Sequence, residues 1–362
     1  MPVRHGSVGP CPWSRKASRS PTSRKLGYRG NSLNSNVSEN NAAHVVRALV
    51  QAEADGVPSH GLSRVPSYAD QAKSGKVDGH AIARLEQTAT AALRVDANGG
   101  YAYPAIHLGL GRAITLAQEA GIVGLAIGNS HHGGVGGHPV EAAARKGLIA
   151  MGFLNAPAAI APWNGNRALY GTNPIAFACP RRNADGTDWG DPILVDLALS
   201  KVARGKIMMA ANKGEPIPEG WSTDKHGKPT TDAKEALDGG MMIPMGDAKG
   251  AALVLMVEIL AATLTGSNHG FEASSFFAAD GEPPKVGQFF ILIDPSAFAH
   301  EDEETADNRF IERIGTLVQA ITEQDGAWLP GVDRWANRAK ANAEGVEVAD
   351  KLLADLEARA AA

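Results

Sequence analysis

The sequence predicts a mixed α/β protein, and two observations support this fold class. From Gly121 onward, short apolar strands alternate with loops and amphipathic helices. The composition, 44% hydrophobic and 20% charged, is that of a globular chain able to bury a sizeable core. A chain of 362 residues favours about two domains. We expect a disordered tail at 1–38, a mainly helical region formed by 39–120 and 300–362, and a mixed α/β domain at 121–299.

The first 38 residues differ in charge from the rest of the chain. They contain seven basic side chains and no acid, although the whole chain carries a net charge of -4. They are rich in Ser, Arg, Pro and Gly and show no helical or strand period, which predicts disorder. The remainder is acidic, and nucleic acid binding needs clustered Lys and Arg on the folded surface. We therefore expect no nucleic acid partner for the folded part.

The helical region opens with a recognisable cap. Ser38 precedes an apolar stripe at helical spacing that ends near Gly56. A loop with a short helix is expected between Asp55 and Gly79, followed by a strand at Ala92–Asp96 and an amphipathic helix at Pro104–Ala120.

The α/β region and the C-terminal part follow the same periodicity rules. Strands are predicted at Ile122–Ile127, Leu148–Asn155, Ile175–Ala178, Ile193–Leu197 and Phe289–Ile293, where we expect the sheet to end. Helices are predicted at Val140–Lys146, Lys201–Asn212, Lys249–Leu264, 305–322 and 333–360. Residues 213–246 are rich in Pro and Gly, and such a long irregular segment is usually functional or poorly ordered.

Membrane insertion and disulfide bonding are both disfavoured. The most apolar stretch, Gly250–Gly266, contains Glu258 and is shorter than the roughly 20 apolar residues that cross a bilayer. Cys11 and Cys179 are too few for a disulfide framework. A cytoplasmic protein with no membrane partner is the expectation.

The segment Ser59-His60-Gly61 with Arg64 is the first candidate for chemistry. Histidine exchanges protons near neutral pH, and arginine binds carboxylates through two parallel hydrogen bonds. A proton donor beside a carboxylate-binding group is therefore one interpretation. A surface loop with an ordinary histidine and arginine is the alternative.

A glycine-rich loop, Ser130–His138, lies between a predicted strand and a predicted helix. Its backbone N–H groups can cradle a phosphate at a helix N-terminus. The loop does not complete the G-x-G-x-x-G pattern, because counting from Gly134 the last position is Pro139, and the next strand ends at Asn155 rather than at an acid. A Rossmann site is disfavoured. Three histidines raise the question of a metal site, but no carboxylate follows at ligand spacing, so we expect no metal.

Three further segments have a functional and a structural interpretation. Gly171–Pro174 forms a good tight turn. Arg204 and Lys206 can add positive charge to a pocket for an anionic substrate, or lie in solvent on a helix. Asp247 and Ala248 open an apolar helix, whose N-terminus can meet a phosphate or simply be capped.

Taken in order, these segments resemble the malate/L-lactate dehydrogenase family, which also contains sulfolactate dehydrogenases and piperideine- and pyrroline-2-carboxylate reductases. The matching segments are 55–64, 130–133, 171–177, 202–206, 248–250 and 293–295. The resemblance implies a mixed α/β, non-Rossmann NAD(P)-binding fold over 121–299, a substrate and dimerisation role for the helical region, and a homodimer. It also implies reduction by NADH or NADPH of a carbonyl or imine carbon beside a carboxylate.

The resemblance also implies roles for individual residues. His60 would be the general acid or base, with Ser59 and Lys206 in the catalytic group. Substrate contacts would come from Arg64, Thr172, Arg204 and Gly205. Cofactor contacts would come from His132, Gly133, Gly134, Val135, Gly136, Asp196, Leu197, Ala198, Asp247, Ala248, Pro330, Gly331 and Arg334.

The leading hypothesis is an enzyme that interconverts a small 2-oxo acid and its 2-hydroxy acid. The second is a cyclic 2-imino-acid reductase, because segments 236–240 and 270–274 resemble that branch. Lys206 weakens the second hypothesis, since some imine reductases of the family carry an aspartate there. A catalytically silent binding protein and a His-dependent metal hydrolase are alternatives from other classes, which turnover and chelation assays distinguish.

Overall fold

A computed structural model gives the fold and describes residues 36–183, 188–298 and 306–361. The disorder expected for 1–38 is a prediction about a segment of which residues 1–35 lie outside this described part. Cys11 lies outside it as well.

The described chain forms a seven-stranded mixed sheet in the order β1-β2-β3-β9-β4-β5-β6, beside a small hairpin of β7 and β8. Among these strands, β2 and β3 pair in parallel and the other neighbours are antiparallel. The mixed α/β class is thereby confirmed. The strands are β1 Arg84–Ala89, β2 Ala92–Asp96, β3 Ile122–Ser130, β4 Ile149–Leu154, β5 Ile175–Cys179, β6 Ile193–Leu197, β7 Ser222–Thr223, β8 Pro229–Thr230 and β9 Val286–Ile293.

The last strand of the chain lies in the middle of the sheet. The prediction that this strand completes the sheet along the chain is confirmed for the described residues, and in space β9 pairs with β3 on one side and β4 on the other. Its burial explains the position: Phe290 and Leu292 are almost fully enclosed. β1 was not predicted, since it is mostly exposed and shows no apolar alternation.

Ten helices surround the sheet in the described residues: α1 Glu39–Ala54, α2 Val65–Ser74, α3 Ala102–Ala120, α4 Gly137–Ala144, α5 Arg204–Lys213, α6 Ala233–Leu237, α7 Asp247–Glu258, α8 Ala306–Thr322, α9 Val332–Glu344 and α10 Asp350–Ala361. A π-helical turn, Ile259–Thr263, follows α7. The region 213–246 is long, but it contains β7, β8 and α6.

Two helix predictions need correction. The helix expected over 333–360 is interrupted at Gly345, whose φ of 93° suits glycine and ends α9. The helix expected from Lys201 begins at Arg204 instead, because the backbone N–H of Lys201 donates to Ile243 O at 2.8 Å and Ala203, the residue before the helix, is extended.

Three apolar clusters hold these elements together. One joins α3 and α4 to one face of the sheet, and a second joins α5, α6 and α7 to the other face. The third packs α1 against α2 and α10 around the buried ring of Tyr68. The first two clusters enclose the sheet on both faces, so the loops at its edges start from fixed positions.

Helix α9 is anchored by a buried charge network. Arg338 donates to the Asp55 carboxylate at 2.6 and 2.7 Å and to the Glu141 carboxylate at 2.5 and 2.8 Å. Burial alone would raise the pKa of Asp55, but hydrogen bonds from Arg338 and His138 outweigh it and the pKa is lowered. The network therefore ties the C-terminal helix to the end of α1 and to α4.

Replacing Arg338 by Met should lower the free energy of unfolding by about 3–5 kcal/mol, because two buried carboxylates lose the guanidinium they share and keep only His138 and Arg145 as partners. The matched control is Arg359→Met: Arg359 pairs with the half-exposed acids Asp70 and Asp355, and such surface pairs contribute about 0–1 kcal/mol. Urea unfolding followed by circular dichroism measures both. Equal losses in the two variants would contradict the assignment.

Candidate active site

His60 lies in a tight double turn between α1 and α2. Two successive 3-10 turns, Pro58–His60 and Leu62–Arg64, are joined at Gly61. The Glu53 carboxylate accepts a hydrogen bond from Leu62 N at 2.8 Å, and a side chain at Gly61 would overlap that carboxylate. Burial raises the pKa of Glu53. The turn is thus held by one half-buried acid.

Arg64 is fixed at one end and unpaired at the other. Its Nε donates to Ser59 O at 2.7 Å, and its guanidinium carbon lies 4.4 Å from the centre of the Phe277 ring. Its Nη1 is buried and has no hydrogen-bond partner among the described residues. A guanidinium in this position can receive a carboxylate.

His60 adjoins this guanidinium and is held by its neighbour. Ser59 Oγ lies 3.0 Å from His60 Nδ1. Burial, and then the positive charge of Arg64, lower the pKa of His60 to about 4, against a smaller opposing effect of Asp196. The imidazole is therefore neutral at pH 7 in the free protein.

The histidines of the glycine-rich loop point to different partners. His131 Nε2 lies 2.8 Å from Gln71 Oε1, His132 Nδ1 lies 2.6 Å from the Tyr68 hydroxyl, and His138 Nε2 lies 3.0 Å from Asp55 Oδ2. Within the described residues, no three His, Cys, Asp or Glu side chains are grouped to hold a metal ion.

Tyr68 connects the loop to His60. Its hydroxyl contacts both His132 and the Tyr103 hydroxyl, the latter at 3.2 Å, and the His132 ring centre lies 5.3 Å from that of His60. Sequence reasoning missed Tyr68. Its place on the buried face of α2 is visible as an apolar period, but that signal says only that the side chain is in the core.

The glycines of the loop are required by close packing. A Cβ on Gly133 would lie 2.5 Å from Leu154, and one on Gly134, whose φ is 70°, would lie 2.6 Å from the Tyr103 hydroxyl. Helix α4 begins at Gly137, and its first N–H donates to Asp196 Oδ2 at 3.0 Å. Val135 and Gly136 are buried within the same loop.

Asp196 and Arg334 form an ion pair whose two charges both act on His60. Arg334 Nη2 donates to Asp196 Oδ2 at 3.0 Å, while Arg334 Nη1 is buried and unpaired among the described residues. Pro330 O accepts from Leu194 N at 3.1 Å, and Gly331 starts α9 with a φ of 98°. The C-terminal residues expected at the cofactor site thus lie against β6.

Of the residues expected to contact the substrate, Gly205 lies beside the double turn. A Cβ on Gly205 would lie 3.9 Å from Ser59 Cβ, so the start of α5 faces the turn. Arg204 is half-buried, burial lowers its pKa, and no described acid pairs with it. Lys206 is exposed and Thr172 is half-buried, with its carbonyl accepting from Leu199 N at 2.8 Å.

Asp247 and Ala248 lie further out. Both are exposed at the start of α7, where Gly246 and Asp247 have φ values of 64° and 57°. No described hydrogen bond joins them to the His60 cluster. Leu197 is exposed and Ala198 half-buried at the end of β6, and Leu199 O accepts from Met245 N at 2.9 Å, which links the two segments.

Comparison with known proteins places this site in a family. A family model described as malate/L-lactate dehydrogenase matches residues 32–357. A (2R)-3-sulfolactate dehydrogenase (NADP(+)) of Chromohalobacter salexigens is 54% identical over 314 residues, 87% of this chain and 89% of that protein. A Δ1-pyrroline-2-carboxylate/Δ1-piperideine-2-carboxylate reductase of Pseudomonas syringae pv. tomato is 39% identical over 306 residues, 84% of each chain.

A solved structure shows the same fold. The Δ1-piperideine-2-carboxylate reductase of Pseudomonas syringae superposes with a TM-score of 0.81 at 37% identity, over 90% of this chain and 94% of that one. Fold, site and relatives define an NAD(P)-dependent oxidoreductase. The chain belongs to the malate/L-lactate dehydrogenase family. In the described residues no helix has the length and apolarity to span a membrane.

The charge of Arg64 should control the protonation of His60. Arg64→Met removes a neighbouring positive charge, so the pKa of His60 should rise from about 4 while staying below its ordinary value, because burial remains. Histidine NMR titration measures this. In the control Arg47→Met, the pKa of His44 should rise and that of His60 should stay, since Arg47 acts on His44. An unchanged His60 titration in Arg64→Met would refute the coupling.

Proposed function

We propose that the protein interconverts a 2-oxo acid and the corresponding 2-hydroxy acid with NAD or NADP, and that His60 is the general acid and base. The observation that carries this proposal is the buried, unpaired Nη1 of Arg64 beside the Ser59-His60 pair. A buried donor without a partner costs about 1–3 kcal/mol, and a substrate carboxylate supplies the acceptor.

Arg64 orients the substrate by its carboxylate. Because Nε is engaged by Ser59 O and one guanidinium face is covered by Phe277, the unpaired Nη1 is the donor left for a ligand. Bidentate binding there fixes the plane of the carboxylate and with it the adjacent carbonyl carbon. A 2-oxo acid has this arrangement of groups.

His60 moves the proton. Ser59 Oγ lies at Nδ1, so Nε2 is the ring nitrogen left to give a proton to the nascent alkoxide or to take one from the hydroxyl. A bound carboxylate offsets the charge of Arg64, so binding raises the pKa of His60 and brings its protonated form within reach at neutral pH.

The residues around the glycine-rich loop fit a dinucleotide. The buried, unpaired Arg334 Nη1 is a donor for a cofactor oxygen, and Asp196 holds that arginine in place. Hydride transfer to the carbonyl carbon is the chemistry that a nicotinamide supplies there. Proposed contacts are His132, Gly133, Gly134, Val135, Gly136, Asp196, Leu197, Ala198, Asp247, Ala248, Pro330, Gly331 and Arg334.

A second anionic group on the substrate is favoured by the start of α5. Arg204 is partly desolvated without a described acidic partner, and Gly205 adjoins Ser59. A cation in that state binds an anion well. The sulfolactate dehydrogenase reported above acts on (2R)-3-sulfolactate, which carries a sulfonate as well as a carboxylate. We infer a substrate of this doubly anionic kind, with Thr172 and Gly205 as further contacts and Lys206 adding positive charge.

Reduction of a cyclic 2-imino acid is the second candidate. It is favoured by the 39% identity to the pyrroline- and piperideine-2-carboxylate reductase and by the superposition on such an enzyme. Arg64 would bind the ring carboxylate in the same way. The unpaired Arg204 would then have no partner on a monoanionic substrate, which is why we rank this candidate second.

We also propose a homodimer. Helix α7 presents apolar side chains to solvent: Leu253 is 40% exposed and Met256 is 38% exposed, and Ile259 of the following π-helical turn is 50% exposed. An apolar surface of this kind on a helix marks a protein contact. We infer that a second copy of the chain covers this apolar surface in the homodimer.

The test is the loss of NADPH or NADH absorbance at 340 nm with sulfopyruvate, oxaloacetate, pyruvate and Δ1-piperideine-2-carboxylate. Sulfopyruvate or oxaloacetate should have the highest kcat/KM. His60→Asn should lower kcat about 100- to 10,000-fold, since general acid catalysis contributes this much. The matched control His226→Asn, at an exposed loop histidine, should leave kcat unchanged. Turnover of the imine alone, or full activity of His60→Asn, would overturn the proposal.

A further inference from the structure

A buried lysine lies close to the substrate side of the site without belonging to it. Lys76 is 3% exposed, two residues after the end of α2. Its Nζ donates to three backbone carbonyls, those of Ser275 at 2.8 Å, Ala278 at 2.9 Å and Asp280 at 2.7 Å. All three ammonium N–H groups are thus used by one segment that has no regular secondary structure.

Two side chains of α2 itself bind the same segment. Gln71 Nε2 donates to Phe276 O at 2.8 Å, and Ser74 Oγ donates to Ala279 O at 2.7 Å. Of the six carbonyls in 275–280, five therefore accept from Gln71, Ser74 or Lys76. The conformation of the segment is set by α2 rather than by its own backbone pairing.

Phe277 is the residue of this segment whose carbonyl accepts no hydrogen bond from Gln71, Ser74 or Lys76. Its ring covers the guanidinium of Arg64. The ring is 49% exposed and its centre lies 4.4 Å from the guanidinium carbon. Arg64 immediately precedes α2, and Lys76 follows the same helix. Arg64 and Lys76 thus flank one helix, with the guanidinium before its start and the ammonium that holds the segment of the ring after its end.

We propose that Lys76 is a positioning residue: it holds segment 275–280 so that Phe277 forms the roof of the substrate carboxylate pocket and limits what can stand beside the carboxylate. The inference rests on the proposed function of Arg64. The Phe277 ring covers one face of the Arg64 guanidinium. A flat carboxylate can therefore bind in the plane of the guanidinium, whereas a bulky substituent on the ring side is excluded.

A charge suits this role better than a neutral amide. An ammonium makes charge-assisted hydrogen bonds to several carbonyls at once, and these bonds are roughly twice as strong as neutral ones. Burial lowers the pKa of Lys76, as expected for a cation withdrawn from water. The three carbonyl dipoles converge on it and replace its hydration.

The test compares Lys76→Met with Lys73→Met, a matched change at an exposed lysine of α2. In Lys76→Met, KM for the 2-oxo acid should rise about 3- to 30-fold, the range that corresponds to losing a cation–π contact of this kind, with little change in kcat. Amide hydrogen exchange of 275–280 should accelerate in Lys76→Met. Lys73→Met should match the wild type in both measurements.

A double variant shows whether Lys76 acts through the ring. Phe277→Leu should raise KM by a similar factor, and Lys76→Met with Phe277→Leu should be no worse than the more affected single variant. Unchanged KM in Lys76→Met, or effects that multiply in the double variant, would overturn the inference. Hydrogen exchange needs no substrate, so it tests the role of Lys76 in holding segment 275–280 whatever the protein catalyses. A wild-type protein that turns over no 2-oxo acid would refute the proposed function and not this structural role.

Discussion

The candidate site depends on one contact, the packing of helix α2 against the loop that follows β3. Two hydrogen bonds carry this contact: the Tyr68 hydroxyl to His132 Nδ1 at 2.6 Å and Gln71 Oε1 to His131 Nε2 at 2.8 Å. All four side chains are buried or nearly so. Buried polar groups of this kind are costly when unpaired, so the two elements are held in one relative position.

Everything proposed about chemistry follows from that position. Because α2 begins at Val65, directly after Arg64, its placement also places the double turn with His60. The loop in turn begins at the end of β3, in the middle of a sheet enclosed on both faces. His60, Arg64 and the glycine-rich loop are therefore held on the same rigid support.

Burial has a second effect, on charge. Desolvation is the largest cause of the lowered pKa values of His60, His131 and His132, and the Arg64 charge adds to it in each case. An enclosed cationic pocket with neutral imidazoles attracts an anion, and the arriving anion then shifts the balance toward a protonated His60. Substrate binding and readiness for proton transfer are linked in this account.

The sequence indicated the mixed α/β class, and the chemistry of the residue types alone pointed to His60 and Arg64 as candidates. It did not indicate the contacts made across long separations. Lys76 and Phe277 are ordinary residues in the sequence, and only folding brings the lysine to the segment that carries the ring. The central place of β9 was hidden for the same reason, since strand order is not encoded in the periodicity of a single strand.

Tyr68→Phe tests the central claim most directly, because it removes one hydroxyl and keeps the ring that packs the core. The variant should fold, since the apolar packing is preserved, and an unpaired His132 costs about 1–3 kcal/mol. We expect kcat/KM for the 2-oxo acid to fall about 10-fold or more. Steady-state kinetics with circular dichroism as the folding control make the measurement. A folded Tyr68→Phe enzyme with wild-type kcat and KM would contradict the account.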